Sequence, residues 1–259
     1  VDKYCLMFYH EVEGSSDLFK TAIKTFKKVS DAQIVVFSDN IDESNDYTLI
    51  KIEDPIEARM YSKILCLHNF LKTIKYGSQV LVADVDLYFL SDPFKAFDLD
   101  FDLGLTTRMH KHKSKPINAG VFFLRYNNLR ILTLINYWLL EMRKTTWDTY
   151  KKFRNFKYGL DWDCDQSFLN ACWADKSQVE EKFNIRILDV GPEYNYCPAD
   201  DILGFENSRM KLLQTYLNKS AVILHLKSKL KLCLYEGWLE DAVTENKTGI
   251  WNWQKAGKK

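Results

Sequence analysis

No stretch of the chain carries the roughly 20 consecutive apolar residues that a bilayer-crossing helix needs, so no segment reads as a membrane span. The opening Val1, Asp2, Lys3, Tyr4 and Cys5 lacks the basic, apolar and small-residue succession of a secretory leader. A start at Val1 rather than Met leaves an earlier leader or anchor open. Charge of neither sign is in excess: 36 Lys and Arg against 35 Asp and Glu leave a formal net charge of +1. No global field therefore points to nucleic acid, and any basic surface is local. Glycine is sparse, at 10 residues in 259, and neither Gly-x-Gly-x-x-Gly nor the phosphate-binding P-loop pattern occurs. That removes the dinucleotide-binding and triphosphate-hydrolase readings. Cys-x-x-Cys is absent too, and Cys5, Cys66, Cys164, Cys172, Cys197 and Cys233 are scattered, several in apolar surroundings. They read as reduced core thiols of a cytoplasmic protein, with a disulfide among them the lesser alternative.

What the chain does have is hydrophobic content of 46% and aromatic content of 14%, enough to bury a sizeable core in one large domain. Its organising stretch is residues 80–93, where the strand-forming run Val80, Leu81, Val82, Ala83 delivers Asp84 and Asp86 before an Asp92-Pro93 turn. In extended backbone, residues two apart face the same way. Two carboxylates converging at the end of a buried strand are costly unless a cation joins them, so a divalent metal site is the leading reading. An acidic turn with solvated carboxylates is the plain alternative.

Upstream, an aromatic run ending at Tyr9 and His10 leads through a loop to a helix marked by Leu18, Ala22, Ile23 and Phe26, then to a strand ending at Ser38. Strand, helix, strand at this length is a parallel crossover, and it places Tyr9, His10 and Ser38 on the sheet edge where a nucleotide base could be held. A helix predicted over residues 56–74 carries Met60, Ile64, Leu67 and Leu71 on one face, with Arg59 and Lys63 one turn apart on another. These two cations either are solvated or face an anionic ligand at the edge.

Downstream, residues 101–107 read as a strand and 108–116 as a basic loop. His110 and His112 in that loop have lysines beside them and no acid or thiol, so a solvated loop or a flap over phosphate is favoured over a metal site. Asn118, Ala119 and Gly120 come next, a small pair that lets backbone approach a ligand before a strand. A helix is predicted over 127–144, and a surface loop over 147–157. Asp161, Asp163 and Asp165 with Gln166 then crowd a helix start, more acid than capping requires. A strand at 185–190, a turn at 191–196 and a helix at 205–217 precede a last strand ending in His225. Beside an Asp-x-Asp site that histidine is a candidate third ligand, and Lys227, Lys229 and Lys231 are candidate phosphate partners.

The ordered set Arg59 and Lys63, Asp84-Val85-Asp86, Asn118-Ala119-Gly120, Asp165-Gln166 with Leu169-Asn170, Pro192 to Asn195, and His225 with Lys231 carries a resemblance. It resembles retaining glycosyltransferases of the glycosyltransferase A fold, in particular family 8, which contains glycogenin and the bacterial lipooligosaccharide galactosyltransferases. The resemblance implies a single Rossmann-like α/β domain, residues 1–240, with a mainly parallel sheet flanked by helices, followed by a tail at 241–259. It implies transfer of a hexose or pentose from a UDP-sugar to a glycan, glycolipid or protein hydroxyl, with retention. Asp84, Asp86 and His225 would hold Mn²⁺, or Mg²⁺, with Asp84 also on the nucleotide and Lys231 on the diphosphate. Asn118, Asp165 and Gln166 would surround the transferred sugar, and Arg59 or Lys63 would touch sugar or phosphate. A sugar nucleotidyltransferase, or a non-catalytic carbohydrate-binding protein on the same fold, is the alternative. The aromatic and basic tail from Trp251 suggests peripheral contact with a membrane bearing a glycolipid acceptor.

Overall fold

Four chain segments are apolar almost without interruption, the pattern of strands covered on both faces rather than one. A computed structural model of the chain describes residues 1–10, 15–52, 59–108, 116–127, 129–152, 164–197 and 205–226. In it those segments are β1 (Lys3–Phe8), β2 (Gln33–Ser38), β4 (Gln79–Ala83) and β7 (Val121–Arg125), and they form the middle of a seven-stranded sheet. The edges are β3 (Thr48–Lys51) on one side, and β6 (Leu103–Leu105) with β8 (Ile187–Asp189) on the other, in the order β3-β2-β1-β4-β7-β6-β8. All neighbours pair parallel except β7, which runs antiparallel to both β4 and β6. The mainly parallel α/β architecture is as expected.

Helices cover both faces. α1 (Ser16–Val29) turns Leu18, Phe19, Ala22, Ile23 and Phe26 inward, where most of them join Cys5, Met7, Val36 and Leu81 in one core layer. On the opposite face α2 (Arg59–Leu71), α3 (Leu129–Lys152), α4 (Cys164–Ala174) and α5 (Lys176–Phe183) enclose a second layer around Leu6, Val82 and Phe122. The Asp92-Pro93 signal opens a 3-10 helix (Pro93–Asp98), with the Asp92 side chain accepting from the Phe94 backbone N–H at 3.0 Å.

A small antiparallel ribbon stands apart from the main sheet. β5 (Leu87–Phe89) pairs with β9 (Ile223–His225), with Leu87 opposite His225. α6 (Phe205–Asn218) packs Leu212 and Leu213 on this ribbon through Tyr88 and Leu224.

Several expectations are corrected. α3 continues to Lys152, so the first part of the loop predicted at 147–157 is helix; once nucleated, each added residue gains a backbone hydrogen bond whatever its side chain. The short elements β3, β5 and α5 had no periodic signal of their own, because three to eight residues are too few to display one. The turn at 191–196 contains a 3-10 helix (Pro192–Asn195). Asp161, Asp163, His110, His112, Lys227, Lys229, Lys231, Cys233 and the tail with its membrane contact lie outside the described residues. Cys5, Cys66, Cys172 and Cys197 form no disulfide among the described residues. Burial, and then the Asp175 charge, push Cys172 up to about 12, and burial drives Cys5 up as well, so both are inert at neutral pH.

Trp138 carries much of the packing between α3 and α4. Its ring stacks on Phe168 at 4.6 Å and meets Phe122 at 5.9 Å, at 1% exposure. Trp138→Ala is expected to cost about 3–5 kcal/mol, read as a lowered urea midpoint with the slope unchanged.

Candidate metal and donor site at the sheet edge

The reversed direction of β7 decides what gathers at one edge. The parallel strands β1, β2 and β4 end there, while β7 begins there, so Asn118 and Gly120 arrive from the opposite chain direction. Asp84 follows the last residue of β4, and its backbone N–H donates to the Gly120 carbonyl at 2.8 Å. Asp86 sits at the start of the ribbon, where its carbonyl accepts from the Leu226 N–H at 2.9 Å. The β5–β9 register therefore presses His225 against Asp86.

The His225 Nε2 lies 3.1 Å from Asp86 Oδ1 and 3.9 Å from Asp84 Oδ2. One ligand atom from each of the three residues lies within 4.8 Å of the others. A divalent cation with bonds of about 2.0–2.6 Å can span such a set. His225 is fully buried, and its Nε2 has no hydrogen-bond partner among the described residues. A buried ring nitrogen that makes no hydrogen bond yet faces two carboxylates is an arrangement that a cation between them would satisfy. Two carboxylates with one imidazole are a donor set that a divalent cation can use.

Gly120 makes this convergence sterically available. A Cβ there would stand 2.2 Å from His225 Cε1 and 2.9 Å from Asp84 Oδ2. The small pair was expected to admit a ligand to the backbone; in the structure Gly120 admits the imidazole.

Lys63 reaches the same edge from α2. Its ammonium donates to Asp84 Oδ1 at 3.1 Å and to Asp165 Oδ2 at 3.2 Å. Burial works to lower its pKa, but the Coulomb attraction and hydrogen bonds of Asp84 and Asp165 prevail and raise it. The two carboxylates occupy Lys63 where sugar or phosphate contact was expected. Asp165, in the first turn of α4 and 5% exposed, also accepts from the Gln166 N–H at 2.7 Å. Gln166 is half-buried beside it. Asn170 ties this helix to the strand approach: its Oδ1 accepts from the Ile117 N–H at 2.9 Å, and its Nδ2 donates to the Ile117 carbonyl at 3.3 Å.

The expected base contacts are placed at the edge but differ in access. Tyr9 is buried, its ring stacked on Phe19 at 4.2 Å and its hydroxyl 3.0 Å from Ser15 Oγ. Ser38 is buried and 3.4 Å from Asn40 Oδ1. His10 is part-exposed and paired with Asp39 at 2.7 Å. Arg59 opens α2, with its side chain outside the described residues, as is Lys231.

Two neighbours of the site were given no role there by the sequence reading. Asn195 and Thr106 are buried beneath His225 and Asn118, where Asn195 Oδ1 is 2.8 Å from His225 Nδ1. Asn195 was visible only as the end of a Pro-x-x-Asn turn, and Thr106 as one residue of a strand.

A mostly parallel sheet whose central strand ends in paired carboxylates, joined by a histidine from a distant ribbon, is a candidate cation site at the sheet edge. Over residues 54–231 the chain matches the nucleotide-diphospho-sugar transferase family, and it belongs to that family. Its fold is similar to that of the glycosyltransferase GlyE of Streptococcus pneumoniae TIGR4, with a TM-score of 0.55 at 15% identity over 95% of this chain. The match spans 65% of the GlyE chain. It is also similar to a glycosyltransferase involved in glycosylation of the major capsid of PBCV-1, with a TM-score of 0.52 at 13% identity, covering 93% of this chain and all of that one. No curated protein sequence matches the chain.

Gly120→Ala is expected to force His225 aside and weaken Mn²⁺ binding at least about tenfold in titration calorimetry. Lys63→Met leaves the buried Asp165 carboxylate unpaired and is expected to destabilise the fold by about 3 kcal/mol in urea unfolding. Because the folded-state pKa of Lys63 is raised, its contribution is complete below the ordinary lysine value of ~10.4 and is lost only as pH climbs through the folded value. The deficit of the variant is therefore expected to be constant from roughly pH 6 to 9.

Proposed function

We propose that the protein is a metal-dependent glycosyltransferase, which moves a hexose or pentose from a UDP-sugar to a hydroxyl of a glycan, glycolipid or protein. The observation that carries this reading is the convergence of Asp84, Asp86 and the buried Nε2 of His225 on one point. Membership of the nucleotide-diphospho-sugar transferase family supports a nucleotide-sugar donor. Uridine as the base, Mn²⁺ as the metal, retention of configuration and placement in family 8 belong to the same proposal, on the ordered residues from Arg59 to Lys231.

Mn²⁺ at this site would stabilise the negative charge that grows on the departing diphosphate. Asp84, Asp86 and the fully buried His225, held in place by the ribbon, would hold the cation at that end of the donor. Asn118, Asp165 and Gln166 are the residues that would surround the transferred sugar. Lys63 holds the Asp165 carboxylate at 3.2 Å as a charge-assisted pair, which lowers its nucleophilicity. This favours Asp165 as a hydrogen-bond acceptor for sugar hydroxyls over Asp165 as a covalent nucleophile. A scaffold without turnover would have no need for Asp84 and His225 to face a common point, as they do.

Donor hydrolysis in the absence of acceptor tests the reading, with UDP-sugars screened under Mn²⁺, Mg²⁺ or chelator. UDP release with Mn²⁺, its loss with chelator, and a fall of at least about 100-fold in Asp86→Ala are expected. If no donor is consumed under any metal and Asp86→Ala leaves UDP binding unchanged, the proposal fails.

A further inference from the structure

The imidazole of His225 has two nitrogens and two competing claims on its proton. On one side Nε2 faces Asp86 Oδ1 at 3.1 Å and Asp84 Oδ2 at 3.9 Å. Those carboxylates attract a proton to Nε2, and an Nε2–H would occupy the lone pair that a cation needs. On the other side Nδ1 lies 2.8 Å from Asn195 Oδ1 and 3.5 Å from Asn118 Nδ2. An amide oxygen can only accept and an amide nitrogen can only donate, so these two neighbours favour opposite tautomers.

The distances decide between them. At 3.5 Å the Asn118 contact is at the limit of a hydrogen bond, whereas 2.8 Å to Asn195 is short and well within range. The orientation of the Asn195 amide is in turn set from beneath. Its Nδ2 donates to Thr106 Oγ1 at 2.8 Å and to the Asn118 carbonyl at 3.1 Å. The Thr106 hydroxyl gives its own hydrogen to a carbonyl, with Val121 O at 3.0 Å and Asn118 O at 3.2 Å, so its lone pairs are left to accept. Flipping Asn195 would point Nδ2 at the imidazole and oppose its Oδ1 to a carbonyl. Asn195 is 3% exposed, so water cannot repair either loss.

We propose that Asn195 is a positioning residue, which keeps His225 in the Nδ1–H tautomer and so presents the Nε2 lone pair to a divalent cation between Asp84 and Asp86. Thr106 and the Asn118 carbonyl hold the Asn195 amide in the orientation this requires. The inference rests on the metal-site reading of Asp84, Asp86 and His225, and its test separates the two.

The ring-nitrogen shifts of His225 are recorded by ¹⁵N NMR in the metal-free protein at mildly alkaline pH, and Mn²⁺ affinity is measured by calorimetry on the same variants. Wild type is expected to show the Nδ1–H tautomer. Asn195→Leu is expected to move the proton to Nε2 and weaken Mn²⁺ binding about 10- to 100-fold. Asn195→Asp keeps an acceptor opposite Nδ1 but sets an oxygen against the Asn118 carbonyl, and is expected to retain the wild-type tautomer and to bind Mn²⁺ more tightly than Asn195→Leu. An Nε2–H tautomer in wild type overturns the proposal. So does an Asn195→Leu protein that keeps the Nδ1–H tautomer and binds Mn²⁺ within twofold of wild type. Should the Asn195→Leu chain not fold, loss of the Nδ1–H tautomer in Asn195→Asp overturns it equally. Failure of wild type to bind Mn²⁺ refutes the metal site, while the NMR arm still reports whether Asn195 sets the tautomer.

Discussion

Like charge gathered at the end of a buried sheet is the constraint on which the rest of this edge depends. Asp84, Asp86 and Asp165 approach one another where two strands, a ribbon and a helix N-terminus meet, and Lys63 stands between two of them. Lys63 is almost wholly buried, and its charged form persists there because the attraction of both carboxylates outweighs the loss of water. Asp86 and the outer oxygen of Asp84 are instead turned towards the buried imidazole of His225. The edge is therefore divided: a covalently attached cation serves Asp165 and one oxygen of Asp84, and the arrangement on the other side suits an exchangeable one.

Holding that division takes structure on both faces of the sheet. α2 carries Lys63 in from the layer built on Trp138 and Phe122, while His225 comes from a ribbon supported by α6. Gly120 is the point where these meet, since any side chain there would collide with the imidazole or with Asp84. Beneath it, Thr106 and Asn195 form a polar floor in which the buried donors have acceptors and the ring nitrogen of His225 has one. A buried polar network of this kind rigidifies a site when it is fully satisfied. Family membership gives the edge its context, because a nucleotide-sugar donor brings a diphosphate whose negative charge a site must meet.

Much of the fold was legible before the structure was seen. The uninterrupted apolar runs at β1, β2, β4 and β7 announce strands covered on both sides, and the spacing of Leu18, Ala22, Ile23 and Phe26 announces α1. The last strand ending in His225 was legible, but its partner β5 was not, because a strand of three residues shows no alternation, and the register between the two is what aligns His225 with Asp86. Lys63 was visible as a cation on a helix face, but its partner Asp165 is 102 residues away, and no local pattern reports such a pairing. The same holds for Tyr9 and Ser38, which the edge position marked as ligand-facing while the packing of Phe19 and the burial of β2 drew them inward.

By itself the sequence determined that two carboxylates, Asp84 and Asp86, follow a buried strand, and the two-residue repeat of extended backbone predicts a shared face. The chain bends at Val85 and Asp86, however, so their approach to a common point belongs to the fold. Tertiary structure alone decided which groups answer them. The reversal of β7 brings Gly120 and Asn118 to the same edge, and the β5–β9 ribbon adds His225, while α2 contributes Lys63. Convergence of this kind depends on strand direction and register between distant segments, and those are settled by the packing of the whole sheet rather than by any neighbour in the chain.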